Sequence, residues 1–385
     1  MRWGGDVSCS GAQATGHLRW VRRSWVLRSA DAGMTAASTS VTADQALARG
    51  VLTGTRSADV DTRLAVDSAL RRNPIDRVVH AAALWLAYAD RADLDVARSR
   101  ARGWAFGVAE LIDCGHLDAA AYAAPTLAAA YPRIGYLEKM AAILARLPPA
   151  AAGRRGPFVD DPESDVQVVP QPGADTVLIV FCGARHQLGL PLSIMDRYLS
   201  QLGCHLIYLR DRAKVGYIKG VPALGPDMPA TIDRLVRMAG ELGASRIVTM
   251  GNSAGGSGAL RYARGLGATR VLALAPITGG TPFVRKIAPD QRPGLQAWAD
   301  LVPLFREASG VRALLMYAEH NEGDREQCLR MAGLPNVTTE ALLGSDSHHL
   351  AGALLHAGRL EEVLTWLTAV DDEADCPARG ERLAL

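Results

Sequence analysis

Ser245-Arg-Ile-Val-Thr-Met-Gly251-Asn252-Ser253-Ala254-Gly255-Gly256 joins a β-branched apolar run to an amphipathic stretch, Ala254 to Leu266, that reads as a helix. The junction is a Gly-x-Ser-x-Gly sequence in a strand–turn–helix setting, the context in which that motif carries chemistry. A serine lifted out at the tip of such a turn needs a backbone so tight that the positions two before and two after it must be small. Gly251 and Gly255 meet that need. The helix that follows points its N-terminus at the serine, so free amides and the positive dipole end can stabilise an oxyanion. A phosphate-binding turn would use the same geometry, but this stretch has neither the Gly-x-Gly-x-x-Gly fingerprint nor a Walker lysine.

Working outward, short apolar runs recur on both sides of this elbow: Thr176–Cys182, Cys204–Arg210, Arg270–Ala275, Val311–Ala318 and Val337–Leu342. Amphipathic stretches lie between most of them, Leu192–Leu202, Ala230–Leu242, Ala297–Ala308 and Arg325–Leu334, with Leu350–Ala369 after the last. Continuous apolar strands alternating with helices predict a parallel sheet covered on both faces. Val166–Val169 predicts an additional edge strand.

The elbow and this alternation make residues 165–370 resemble the α/β-hydrolase fold, as do Val180-Phe-Cys-Gly183, Tyr208-Leu-Arg-Asp211 and Gly220 to Gly225, which are similar to an uncharacterised bacterial branch of such hydrolases. The fold class expected is therefore α/β, a doubly covered, mostly parallel sheet. The resemblance implies catalytic groups in the chain order Ser, Asp or Glu, His. Ser253 takes the first place. The base is expected in Ser345-Asp-Ser-His348-His349-Leu350; His348 is favoured because it stands just before the terminal helix, and His349 is the alternative. The acid is expected in Glu319-His-Asn-Glu-Gly-Asp324, where Asn321 occupies the place nearest the usual Asp. Asp324 is the choice, Glu319 the alternative, and an N-cap for a helix opening at Arg325 is the competing role for Asp324. Oxyanion donors are expected from the backbone of Ala254 and, in the loop Gly183-Ala-Arg-His186, of Ala184. Arg185 or His186 could instead contact substrate, and Ala213–Asp227, with Tyr217, and Pro276–Arg292 are short cap segments.

Residues 34–150 read as a smaller all-α domain, Ala-rich and spaced at three and four. Within it Trp104–Pro132 resembles a tetratricopeptide unit, with Gly115 in the turn and Ala120 and Ala124 where its helices meet; Val108 departs from the small residue that family uses, and no second copy follows. Such a helical repeat would suit packing or a protein partner and supply no catalytic group. Residues 151–164 are expected to be a linker, 371–385 a tail. Residues 1–33 carry five Arg against two Asp and three of the seven Trp. Arg19, Arg22, Arg23 and Arg28 interrupt every apolar run there, which argues against a secretory signal. A disordered or non-native leader, with Met34 as the natural start, is the expectation.

Over 385 residues, Lys plus Arg number 42 against 40 Asp plus Glu, a net charge of +2 that gives no footprint for nucleic acid. The apolar run Ala81–Ala89 falls far below the roughly 18 residues of a membrane span. The six cysteines are scattered, without metal-ligand spacing, and read as reduced thiols of a cytoplasmic protein. The expectation is a serine hydrolase that cleaves a small-molecule carboxylic ester through an acyl-enzyme, without cofactor or metal. A degenerate scaffold that binds protein, or an acyltransferase, are the alternatives.

Overall fold

The computed structural model describes residues 42–150, 158–279, 281–291, 295, 299–307 and 310–370, together with the backbone of Leu18–Val21 (β1) and Ser24–Leu27 (β2). The predicted strands form at β3 (Val166–Val169), β4 (Thr176–Phe181), β5 (His205–Leu209), β6 (Arg246–Asn252), β7 (Arg270–Leu274), β8 (Arg312–Ala318) and β9 (Val337–Leu342). They share one sheet in the order β1-β2-β3-β5-β4-β6-β7-β8-β9. From β5 to β9 all pairings are parallel, while β3 runs antiparallel to β5. Strands β4, β5 and β7 are buried along their whole length, as the apolar runs require.

Helices α7 (Leu192–Leu199), α8 (Met228–Glu241), α9 (Ala254–Leu266), α12 (Glu322–Leu329), α13 (Leu350–His356) and α14 (Leu360–Thr368) cover the two faces; α10 (Thr281–Val284) and α11 (Val302–Phe305) are single turns. The strand order, the antiparallel β3 and the helical crossovers are those of the α/β-hydrolase fold. The long terminal helix expected over Leu350–Ala369 is instead two, broken at Gly358, whose φ is 72°. A residue at positive φ ends a helix, and glycine takes that conformation at little cost.

Between β2 and β3 the described residues form six α-helices: α1 (Ala43–Leu52), α2 (Val60–Arg72), α3 (Arg77–Asp90), α4 (Ala101–Asp113), α5 (Leu117–Ala130) and α6 (Gly135–Leu144). The α4–α5 hairpin turns at Gly115 (φ 79°), and Trp104, Ala120 and Ala124 are buried in it. This segment does not stand apart. Leu137 of α6, Leu192 of α7 and Leu354 of α13 belong to one continuous hydrophobic core, and Arg146 Nη1 donates to the carbonyl oxygens of Leu355 (3.0 Å) and His356 (2.7 Å).

Two sequence expectations change. Part of the expected linker is packed structure, since Phe158 is buried with its ring tilted against Tyr208 at 5.0 Å, while the buried Arg210 pairs with Asp160 and donates from Nη1 to the Ser164 carbonyl at 2.8 Å. Residues 151–157 and the tail 371–385 lie outside the described residues. Within 1–33, the backbone of β1 and β2 forms an antiparallel ribbon on β3, so these eight residues are not the disordered chain expected. Scattered arginines rule out a continuous apolar helix, but they leave short Leu-, Trp- and Val-rich strands possible. Among the described residues no helix is long and apolar enough to cross a membrane.

Candidate active site

Ser253 sits where β6 ends and α9 begins, with φ 56° and ψ −123°. For a residue with a Cβ this is strained backbone, held here because the surroundings fix it. The Ser253 amide donates to the Leu274 carbonyl at 2.8 Å, and its own carbonyl accepts from Ser257 at 3.1 Å as α9 opens. The flanking glycines are required by contact. A Cβ at Gly251 would stand 2.2 Å from the Gly255 oxygen, and one at Gly255 would stand 2.0 Å from the Phe181 oxygen. The turn is thus wedged against the end of β4.

The imidazole of His348 bridges the site. Its Nε2 lies 2.9 Å from Ser253 Oγ, and its Nδ1 lies 2.9 and 2.8 Å from the two carboxylate oxygens of Asp324. The carboxylate therefore fixes Nδ1 as the protonated nitrogen and leaves Nε2 free to accept the serine proton. The hydrogen bond that His348 Nδ1 donates to Asp324 raises the His348 pKa above its ordinary value, outweighing the lowering effect of burial. A base must be neutral to accept a proton. The rate of any reaction that uses His348 is consequently expected to rise with pH through a midpoint above the usual imidazole value of about 6.5, as a pH–rate profile of kcat/KM would show; a midpoint below that value would contradict the pairing.

The alternatives are placed elsewhere. His349 caps α13, and its pKa is lowered by burial and by the neighbouring cations His348, Arg185 and Lys139. Glu319 Oε2 accepts the Gly344 amide at 2.9 Å, which ties the end of β8 to the turn after β9. The competing role for Asp324 is corrected too. Helix α12 opens at Glu322 rather than Arg325, and the N-cap is Asn321, whose Oδ1 accepts the Asp324 amide at 3.1 Å. With the cap supplied by Asn321, the carboxylate of Asp324, a residue only 8% exposed, is left to face His348. Asn321 Nδ2 also donates to the Asp346 carbonyl at 3.3 Å, so one residue orients the helix of Asp324 and steadies the loop of His348. Replacing Asn321 with Ala is expected to cost about 1 kcal/mol, a fall in Tm of about 2 °C in a thermal melt.

Two roles escaped the sequence reading. The N-cap at Asn321 was obscured by its position where hydrolases usually carry the acid. Gln327, one turn beyond Asp324, accepts the amides of Thr278 (3.0 Å) and Gly279 (2.8 Å) and so holds the loop after β7. Tyr217, expected in a cap segment, is instead fully buried: its hydroxyl lies 2.7 Å from the Leu209 oxygen and 2.9 Å from the Cys182 oxygen. Cys182 is also fully buried, which pushes its thiol up to about 12 and keeps it inert.

The loop after β4 closes on itself. The Gly183 amide donates to Gln187 and the His186 amide to Gly183, both at 2.8 Å. Neither the Ala184 nor the Ala254 amide makes a hydrogen bond among the described residues. Those are the two donors the sequence singles out, and Gly183 itself is excluded because its amide is engaged. Among the described residues no group of three or more His, Cys, Asp or Glu side chains converges as a metal site would.

The chain is similar in structure to several solved proteins. EstE1, a thermostable carboxylesterase cloned from a metagenomic library, is 18% identical, with a TM-score of 0.43 over 59% of this chain and 92% of its own. A 2,6-dihydroxy-pseudo-oxynicotine hydrolase is 18% identical, with a TM-score of 0.44 over 87% of this chain and 90% of its own. The capsule O-acetyltransferase of Neisseria meningitidis serogroup A is 12% identical, with a TM-score of 0.38 over 57% of this chain and 99% of its own. No protein-family model and no curated protein matches.

Proposed function

We propose that this chain is a serine hydrolase that cleaves a carboxylic ester through an acyl-enzyme. The observation that carries the reading is the unbroken relay from Asp324 through His348 to Ser253, with contacts of 2.8 to 2.9 Å. In the proposed reaction His348 Nε2 takes the Ser253 proton as Oγ attacks the ester carbonyl. The amides of Ala254 and Ala184 receive the developing oxyanion, and the α9 dipole adds to their field. Collapse expels the alcohol, which takes the proton back from His348. Water then attacks the acyl-Ser253 ester with the same imidazole as base, releasing the acid.

A strained serine is consistent with this role, because a backbone that costs free energy persists where it positions a reacting atom. A scaffold that only binds protein would need none of this alignment. Rapid mixing with excess 4-nitrophenyl acetate tests the reading. A burst of nitrophenolate approaching one equivalent of enzyme, together with an acetyl adduct on the Ser253 peptide, is the expected result. Linear release without an adduct would contradict a covalent route.

A further inference from the structure

Between α6 and α13 runs a groove of about 440 Å³ that opens beside the catalytic base. Ser347 and His349, the two neighbours of His348, both line it. The rings of His348 and His349 are 6.1 Å apart, and His348 Nε2 lies 2.9 Å from Ser253 Oγ, so the groove adjoins the loop that carries the base. The walls are aliphatic where Ile143 of α6 faces Gly352 and Leu355 of α13. They are also fixed, because Arg146 at the end of α6 binds the last carbonyls of α13.

The charge on the groove lining is distinctive. Lys139 lines the groove and, like Arg185 from the loop after β4, lies near enough to His349 to disfavour its protonation. Neither cation has an ion-pair partner among the described residues. Glu138 is the one carboxylate on the lining, against Lys139, Arg146 and two histidines. An unpaired lysine on the wall of a partly aliphatic slot complements an anion on a short chain.

We propose that this groove binds one half of the substrate and that this half is a short aliphatic chain ending in a carboxylate, with Lys139 as its specificity-determining residue. The helical segment is then a wall of the substrate site rather than a separate module. This rests on the Ser253 reading above, and a binding measurement separates the two. For turnover, mono(4-nitrophenyl) glutarate is compared with 4-nitrophenyl pentanoate, which has the same chain length and no charge. The expected kcat/KM ratio is about fivefold in favour of the glutarate at low salt, near one for Lys139→Gln, and below one for Lys139→Glu. High salt should shrink the wild-type ratio.

For binding, calorimetry on the Ser253→Ala protein compares monomethyl glutarate with dimethyl glutarate. Tighter binding of the monoanion, lost when Lys139→Glu is added, supports the groove even if neither nitrophenyl ester turns over. In that case only the nucleophile assignment falls. Equal binding of the two esters, or tighter binding of the diester, overturns the groove proposal whatever the turnover.

Discussion

Ser253→Ala is expected to lower turnover of a short-chain nitrophenyl ester roughly ten-thousandfold or more while leaving the fold intact. The size of the effect follows from what the substitution removes. Alanine deletes the hydroxyl that lies 2.9 Å from His348 Nε2. Ser257, the next serine on α9, already donates from its Oγ to the Ile277 carbonyl at 2.7 Å. Because the strain at φ 56° belongs to the backbone, and alanine keeps a Cβ, the change should scarcely alter Tm. Activity near wild type in a clean Ser253→Ala preparation would remove the serine from the mechanism.

His348→Ala should be nearly as damaging, since the members of a relay act as a unit and do not contribute separately. Asp324→Asn should cost less but still roughly a thousandfold, because an amide neither stabilises the imidazolium nor favours the tautomer with the proton on Nδ1. It should also move the ascending limb of the pH–rate profile. Asp324 raises the His348 pKa, so its loss shifts the midpoint of the residual activity to lower pH. Glu319→Gln is the comparison. A glutamine oxygen can still accept the Gly344 amide, so activity should remain within about threefold of wild type. Loss of activity in Glu319→Gln with Asp324→Asn unimpaired would exchange the two carboxylates in the mechanism.

The strand–turn–helix around Ser253 was legible because it is local: six strand residues, two small residues and a helix onset lie within a dozen positions. The parallel, doubly covered sheet was legible from continuous apolar runs alternating with helices, whereas the order of its strands depends on pairings between distant segments. The choice between His348 and His349 depends on which side chain a loop turns inward, and adjacent residues in a loop carry no periodicity to settle it. Asp324 depended on where α12 begins. Once Asn321 is the cap, Asp324 falls at the third helical position with its carboxylate free of the capping role. Helix onset within two or three residues is what sequence patterns fix least well. The packing of α6 against α13 was hidden more deeply. It joins residues more than 200 positions apart through Arg146 and two backbone carbonyls, a contact for which neither composition nor spacing gives a signal.

The central claim is that His348, held by Asp324, makes Ser253 a nucleophile. Labelling with a fluorophosphonate probe, followed by peptide mapping, tests it without any assumption about the substrate. One equivalent of label on Ser253 is expected in the wild-type protein, abolished in Ser253→Ala and slowed roughly a thousandfold or more in His348→Ala. Failure of the folded wild-type protein to label, or labelling at another residue, would contradict it.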